Sequence, residues 1–293
     1  MSTAEPWTIG RLLNWTTEYL ESKGSDEARL EAQLLLCHAL GCQKIQLYTR
    51  FEETVDDEKR STFRELVKQR AAGIPVAYLL GTREFYSMEF AITPDVLIPR
   101  PETEHLVIET LDRLKARAGE EGLRLLELGT GSGIIAVTVA KHAKNVTCLA
   151  TDISEKALQV AKGNAEKHGV SERIEFAAGD LFAAVPAGET FDVIVSNPPY
   201  VADAERSLMD PQVIAHEPHV ALFAEEEGTA VLRRILEQAA GYLNPGGWLF
   251  LEFSPMIAGR VAKIAEQLGT YQQISIGKDL AKHDRYLIAQ KAG

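Results

Sequence analysis

Residues 195–201 read Val-Ser-Asn-Pro-Pro-Tyr-Val, an amide, two prolines and an aromatic directly after an apolar run. An amide or aromatic NH2 group is a poor nucleophile because its lone pair is delocalised, as the short C–N bond of a peptide shows. A site that accepts both of its N–H bonds can hold the pair on nitrogen and aim it. The side-chain oxygen of Asn197 can accept one N–H, and the carbonyl of Pro198 can accept the other, since proline keeps its C=O. Tyr200 can stack on a flat acceptor and fix its face. Pro198 and Pro199 make the turn rigid, so the geometry exists before substrate arrives. Asn197, Pro198 and Tyr200 are therefore the candidates for chemistry, and Asn197, Pro198, Pro199 and Tyr200 the candidates for holding the acceptor. Arg100 lies between Pro99 and Pro101. It reads equally as part of the acceptor pocket or as an anchor of its segment through Glu102 or Glu104.

A second constellation lies upstream. Residues 125–140, Leu-Leu-Glu-Leu-Gly-Thr-Gly-Ser-Gly followed by Ile-Ile-Ala-Val-Thr-Val-Ala, read as strand, glycine loop and helix. Gly129, Gly131 and Gly133 permit a tight turn and close approach of backbone to a ligand. The GxGxG spacing departs from the GxGxxG of a pyrophosphate site, and no Lys-Ser/Thr pair makes it a Walker loop. Asp152 ends the next predicted strand, where a carboxylate can accept from both hydroxyls of a ribose. Asp180, after the third strand, is placed for an adenine amino group, with Leu181 and Phe182 as apolar walls. Three such groups at successive strand ends point to an adenosine ligand. Glu127, Asp152 and Asp180 make the site acidic. That suits the sulfonium and ammonium of S-adenosylmethionine better than the phosphates of a nicotinamide dinucleotide.

The 293-residue chain carries a formal net charge of −11. Residues 1–85 hold 11 Lys and Arg against 13 Asp and Glu. No basic footprint for a long nucleic acid is visible, so no stable nucleic-acid binding is expected. No apolar run reaches the length of a membrane helix, and the first ten residues lack the pattern of a signal peptide. The expectation is a monomeric, cytoplasmic protein that does not bind membranes. Cys37, Cys42 and Cys148 have no CxxC spacing. His216 and His219 form HxxH without further ligands around them, so no metal is expected.

These groups must be held by a frame that the periodicity outlines. Helical spacing of Ile9, Leu12, Leu13 and Leu20, of residues 28–40, and of Phe63, Leu66, Val67 and Arg70 within 56–72 predicts a small helical bundle over 1–75. Residues 83–93, aromatic and β-rich with a turn near Ser87, predict a hairpin inside a linker over 76–95. A helix is expected from near Pro101. From 96 to 293, predicted strands at 125–128, 147–152, 174–178, 191–196 and 248–253 alternate with helices at 134–142, 154–168, 228–243 and 257–268. Such alternation implies an α/β fold with a doubly wound, mostly parallel sheet. Predicted strands at 271–276 and 285–290 close it as an antiparallel hairpin.

The [ND]PP[YFW] motif after a glycine-loop strand resembles that of class I methyltransferases acting on planar NH2 groups of adenine, cytosine or glutamine. The chain as a whole resembles the HemK-type peptide chain release factor glutamine methyltransferase family. The resemblance rests on residues 75–85 (PVAYLLGTREF), 96–104 (VLIPRPETE), 127–133 (ELGTGSG), 151–154 (TDIS), 196–201 (SNPPYV), 217–222 (EPHVAL) and 283–285 (HDR). It implies a Rossmann-like, seven-stranded methyltransferase domain behind a small helical domain. It also implies methyl transfer from S-adenosylmethionine to the glutamine of the Gly-Gly-Gln motif of bacterial release factors. By the same resemblance the cofactor meets Gly129, Thr130, Gly131, Ser132, Gly133, Asp152, Leu181 and Asn197, and the glutamine meets Asn197, Pro198, Pro199 and Tyr200. The helical domain is implied to recognise the release factor. The family often has Asp where this chain has Glu127. Two other readings stay open on the sequence. One is an adenine-N6 methyltransferase on DNA or RNA, which would need cations around a flipped base; the other is a cofactor-binding module that has lost catalysis.

Overall fold

The computed structural model describes residues 6–117 and 119–293. The described chain falls into two compact units, one ending at Gly81 and the other running from Thr82 to Gly293.

The first unit is helical. Helix α1 (Ile9–Ser22) starts where the Thr8 hydroxyl accepts from Arg11 N–H, 3.2 Å. Helix α2 (Ala28–Leu40) stops at Gly41, whose left-handed φ of 63° closes the last turn. A short α3 (Lys44–Thr49) follows. In α4 (Asp57–Ala71) the Asp56 carboxylate caps Lys59 N–H at 2.8 Å. Leu12, Leu13, Leu35, Leu36, Leu47, Phe63 and Val67 form the buried core of this unit. The unit ends in α5 (Val76–Leu80), a helical turn in a stretch where the sequence suggests only linker. Neither α3 nor α5 spans two full turns, so neither leaves a readable period.

The second unit opens with the hairpin of β1 (Thr82–Phe85) and β2 (Met88–Ala91). Its two-residue turn, Tyr86 and Ser87, has φ of 52° and 56°, the primed geometry that matches strand twist. Helix α6 (Thr103–Lys115) begins two residues later than expected. Glu104 N–H bonds back to Pro101 and His105 N–H to Glu102, so residues 101–102 form a turn before the helix. The αβ alternation follows: β3 (Leu123–Leu128), α7 (Ile134–His142), β4 (Val146–Asp152), α8 (Glu155–His168), β5 (Ile174–Ala178), β6 (Phe191–Ser196), β7 (Leu243–Glu252), β8 (Tyr271–Lys278) and β9 (Asp284–Lys291). They form a seven-stranded sheet in the order β5-β4-β3-β6-β7-β9-β8. The first five are parallel, and β9 runs antiparallel to both β7 and β8. Strand β3 is buried at nearly every position, as expected of a strand covered on both faces. Helices Ala230–Tyr242 and Ala258–Leu268 cover one face through Leu232, Ile235, Leu236, Val261 and Ala265.

The sheet order places a reversal between β3 and β6. Strands leave β3 toward β4 and β5 on one side and toward β6 and β7 on the other. Ligands of open α/β sheets bind outside the carboxyl ends of strands at such a switch point.

Candidate active site

Register brings the residues of interest into one row. Leu128 pairs with Thr151 of β4 and Ser196 of β6, and Ser196 pairs with Leu251 of β7. The next residues along these four strands are Gly129, Asp152, Asn197 and Glu252. A cavity of about 340 Å³ opens at this row. Its wall includes Arg100, Glu127, Gly129, Thr130, Gly131, Ser132, Asp152, Asp180, Leu181, Asn197 and Pro199.

The glycine loop works by two different means. Gly131, at φ 55°, has nothing within 4 Å of where a Cβ would stand, so its backbone lies open to the cavity. Gly133, at φ 82°, instead faces Ala161, whose Cβ would meet a new Cβ at 3.0 Å. It lies off the cavity wall and serves the packing of α7 against α8. Asp152 holds the loop: its Oδ2 accepts from Gly131 N–H at 2.8 Å and its Oδ1 from Ser154 N–H at 2.9 Å. Each carboxylate oxygen has a second acceptor site, so two ribose hydroxyls can donate to it. Burial raises the Asp152 pKa, against the backbone N–H groups of Ser154, Gly131 and Ile153.

Glu127 is fully buried. Its Oε2 accepts from the Thr130 hydroxyl at 2.7 Å and from Ala136 N–H at 3.0 Å. Burial pushes its pKa up to about 8 in spite of these bonds, so a bound cation would find a group ready to ionise. Asp180 is half-exposed and pairs with Arg234 at 2.7 Å. One carboxylate of the cavity, Asp180, is thus compensated by Arg234, where the sequence suggests an unrelieved acidic set. Leu181 stands at φ 52°, a conformation costly for a branched side chain and found at sites that need it.

Asn197 donates from Nδ2 to the Thr103 hydroxyl at 3.1 Å. Pro199 shares the cavity wall with it, while Pro198 is buried and off the wall. Tyr200 is also off the wall; its ring packs on the core of the second unit and its hydroxyl donates to Glu252 Oε1 at 3.4 Å. Burial drives the Tyr200 pKa far up, so it stays a neutral donor. The loop is supported from behind by Gly228, at φ 86°, where a Cβ would come within 2.3 Å of the Tyr200 carbonyl oxygen.

Arg100 lines the cavity, and its ion-pair partner is neither Glu102 nor Glu104. It donates to Glu217 Oε1 at 2.7 Å, while Glu217 Oε2 accepts from Ile98 N–H at 3.1 Å. The Glu217 side chain is buried. One carboxylate thus ties residues 98–100 to the segment 217–222. Thr103, Glu217, Gly228, Arg234 and Glu252 are site residues that sequence reasoning does not reach. Thr103 and Glu217 do lie inside the family stretches 96–104 and 217–222, and Glu252 is a charge at the end of an otherwise apolar strand, which is costly unless paired.

A glycine loop over β3, a carboxylate ending β4 and an Asn-Pro-Pro-Tyr turn after β6 define a class I methyltransferase. The model of the methyltransferase small domain matches residues 103–222, and that of the PrmC N-terminal domain matches residues 11–81. A solved methyltransferase from Pyrococcus furiosus shares the fold, with a TM-score of 0.53 at 21% identity over 80% of this chain and 100% of that one. The chain belongs to the release factor glutamine methyltransferase family. It is 47% identical to the release factor glutamine methyltransferase of Rhodopirellula baltica over 99% of both chains. It is 36% identical to that of Aliivibrio fischeri over 97% of both.

Proposed function

We propose that the protein transfers a methyl group from S-adenosylmethionine to the side-chain amide nitrogen (N5) of the glutamine in the Gly-Gly-Gln motif of bacterial peptide chain release factors. The observation that carries this reading is the end-to-end match to release factor glutamine methyltransferases. The cavity that joins the glycine loop to Asn197 supports it.

When bound, S-adenosylmethionine supplies an electrophilic methyl on a positively charged sulfur. The open backbone at Gly129 to Ser132 would cradle it, Asp152 would take the ribose hydroxyls, and Asp180 and Leu181 would meet the adenine. Asn197 Oδ1 and the Pro198 carbonyl accept the two N–H bonds of the substrate amide and keep its lone pair on nitrogen. Pro199, the neighbouring Tyr200 ring and Arg100 complete the acceptor subsite. The N–H grows acidic as nitrogen gains a bond, so no strong base is required. The helical unit is the recognition element for the release factor, and the enzyme works as a cytoplasmic monomer without stable nucleic-acid binding.

The test combines binding and transfer. Calorimetry should show S-adenosylmethionine and its demethylated product binding while NAD is inert. Mass spectrometry of release factor, plasmid DNA and ribosomal RNA, each incubated with enzyme and labelled cofactor, should find label on the release factor alone. Label on nucleic acid with none on the release factor would replace this reading with the adenine-N6 one.

A further inference from the structure

We propose that Asn164 is a positioning residue for the cofactor: it fixes the carbonyl of Ser132 and, through it, the shape of the glycine loop. The inference rests on the cofactor reading of the cavity given above.

Asn164 lies in the second half of α8 and is fully buried. Asparagine is a poor choice inside a helix, and a buried amide is costly unless its hydrogen bonds are made. Here both N–H groups and the oxygen are used, and all of them on the backbone of other segments. Nδ2 donates to Ser132 O at 2.8 Å and to Ala91 O at 3.0 Å, while Oδ1 accepts from Ala91 N–H at 2.7 Å. Turned over, the amide would set its oxygen against two carbonyls and its NH2 against an N–H, so one orientation alone is satisfied.

The Ser132 carbonyl needs such a partner. Gly133 caps α7, and its own carbonyl accepts from Val137 N–H at 2.9 Å. One step earlier, the corresponding i, i+4 bond would run from Ala136 N–H to Ser132 O. Side chains take both of its ends instead. Ala136 N–H donates to Glu127 Oε2 at 3.0 Å, and Ser132 O accepts from Asn164. One buried side chain from β3 and one from α8 thus hold the loop apart from the first turn of α7. Helix α8 sets two consecutive loop residues in this way: Ala161 by packing on Gly133, and Asn164 by its bond to Ser132. Ser132 lines the cavity and Asn164 does not, so Asn164 reaches the cofactor only through the loop. Its grip on Ala91, the last residue of β2, makes the hairpin part of the same frame.

The test uses the full-length enzyme. Asn164→Leu keeps the bulk and loses all three bonds. Asn164→Asp keeps the shape and an acceptor for Ala91 N–H but cannot supply both donors. Calorimetry should show each variant binding S-adenosylmethionine about tenfold or more weakly, with kcat at saturating cofactor and the KM for release factor changed by less than about threefold. Glu89→Ala breaks the exposed ion pair between the same hairpin and Lys167, and should leave the affinity within about twofold of wild type. A role confined to stability would lower the melting temperature of the Asn164 variants and leave the affinity of the folded protein alone. A second readout needs neither variant nor turnover. With asparagine 15N-labelled, the side-chain NH2 of Asn164 in the ligand-free wild type should be protected from hydrogen exchange at both protons. Its resonances should shift when the demethylated product of the cofactor is added. A folded Asn164 variant with wild-type affinity, or an Asn164 NH2 that exchanges freely or ignores the ligand, would overturn the proposal. If the variants bind weakly as expected but the wild type methylates no release factor, the role of Asn164 stands and the functional reading falls.

Discussion

Asn197 carries two opposite hydrogen-bonding duties. Its oxygen is asked to hold one N–H of the acceptor, and its nitrogen is committed to Thr103. Asn197→Ala should cost on the order of 10²-fold in kcat, comparable to losing one oxyanion-hole donor, with cofactor affinity nearly unchanged. Asn197→Asp retains an acceptor oxygen and can receive a proton from Thr103, so appreciable turnover should survive. Single-turnover rates at saturating cofactor check both. Asp152 has a separate duty. Its carboxylate organises the glycine loop through Gly131 and Ser154 and has acceptor sites left for a ribose. Asp152→Ala should weaken S-adenosylmethionine binding by about 1.5–3 kcal/mol, the usual loss for hydrogen bonds to a charged group. Calorimetry showing wild-type affinity would remove Asp152 from the cofactor site.

Among the elements, the strands that carry the site were legible because they are buried on both faces and bounded by glycine, proline or aspartate. The residues 129, 152 and 197 could be picked out because each follows an apolar run. The Tyr86-Ser87 turn showed itself through the β-rich residues on either side. What the sequence hides is lateral pairing. Glu217 lies 117 residues from Arg100, and Asp180 54 residues from Arg234, and no local period records such distances. Glycine types were hidden too: Gly131 faces open space and Gly133 faces Ala161, although the GxGxG spelling treats them alike. The helix expected from 228 begins at Ala230, and before it Glu226 and Glu227 take φ of 51° and 54°, which lets Gly228 approach the Tyr200 carbonyl. Gly228→Ala should therefore displace the 197–200 turn. The left-handed backbone alone costs about 1–2 kcal/mol in a non-glycine residue, and the 2.3 Å contact adds to it. Thermal melts should show the loss of stability, and kcat should fall more than cofactor affinity. Wild-type stability and kcat would mean that this support is dispensable.

For the whole molecule, the buried carboxyls of the second unit tie stability to pH. Glu127 is raised to about 8 and Glu252 to about 7, against about 4.3 for an unfolded glutamate. Between those limits the folded state binds more protons than the unfolded chain, so stability must fall as pH rises. The melting temperature of the ligand-free protein should drop from about pH 6 to about pH 8, and Glu252→Gln should flatten part of that slope. A melting temperature that climbs over this range would mean that both groups are already ionised in the fold. The helical unit has its own core and its own boundary at Gly81. An enzyme starting at Thr82 should keep its cofactor affinity and show a raised KM for the release factor. An unchanged KM would take recognition away from the helices. The central claim is that the acceptor is one particular amide nitrogen. Full-length release factor and the same factor with its Gly-Gly-Gln glutamine replaced by alanine should be incubated with enzyme and labelled S-adenosylmethionine, then mapped by peptide mass spectrometry. One methyl is expected on the amide nitrogen of that glutamine in the first protein and none in the second. Equal methylation of both would contradict that claim.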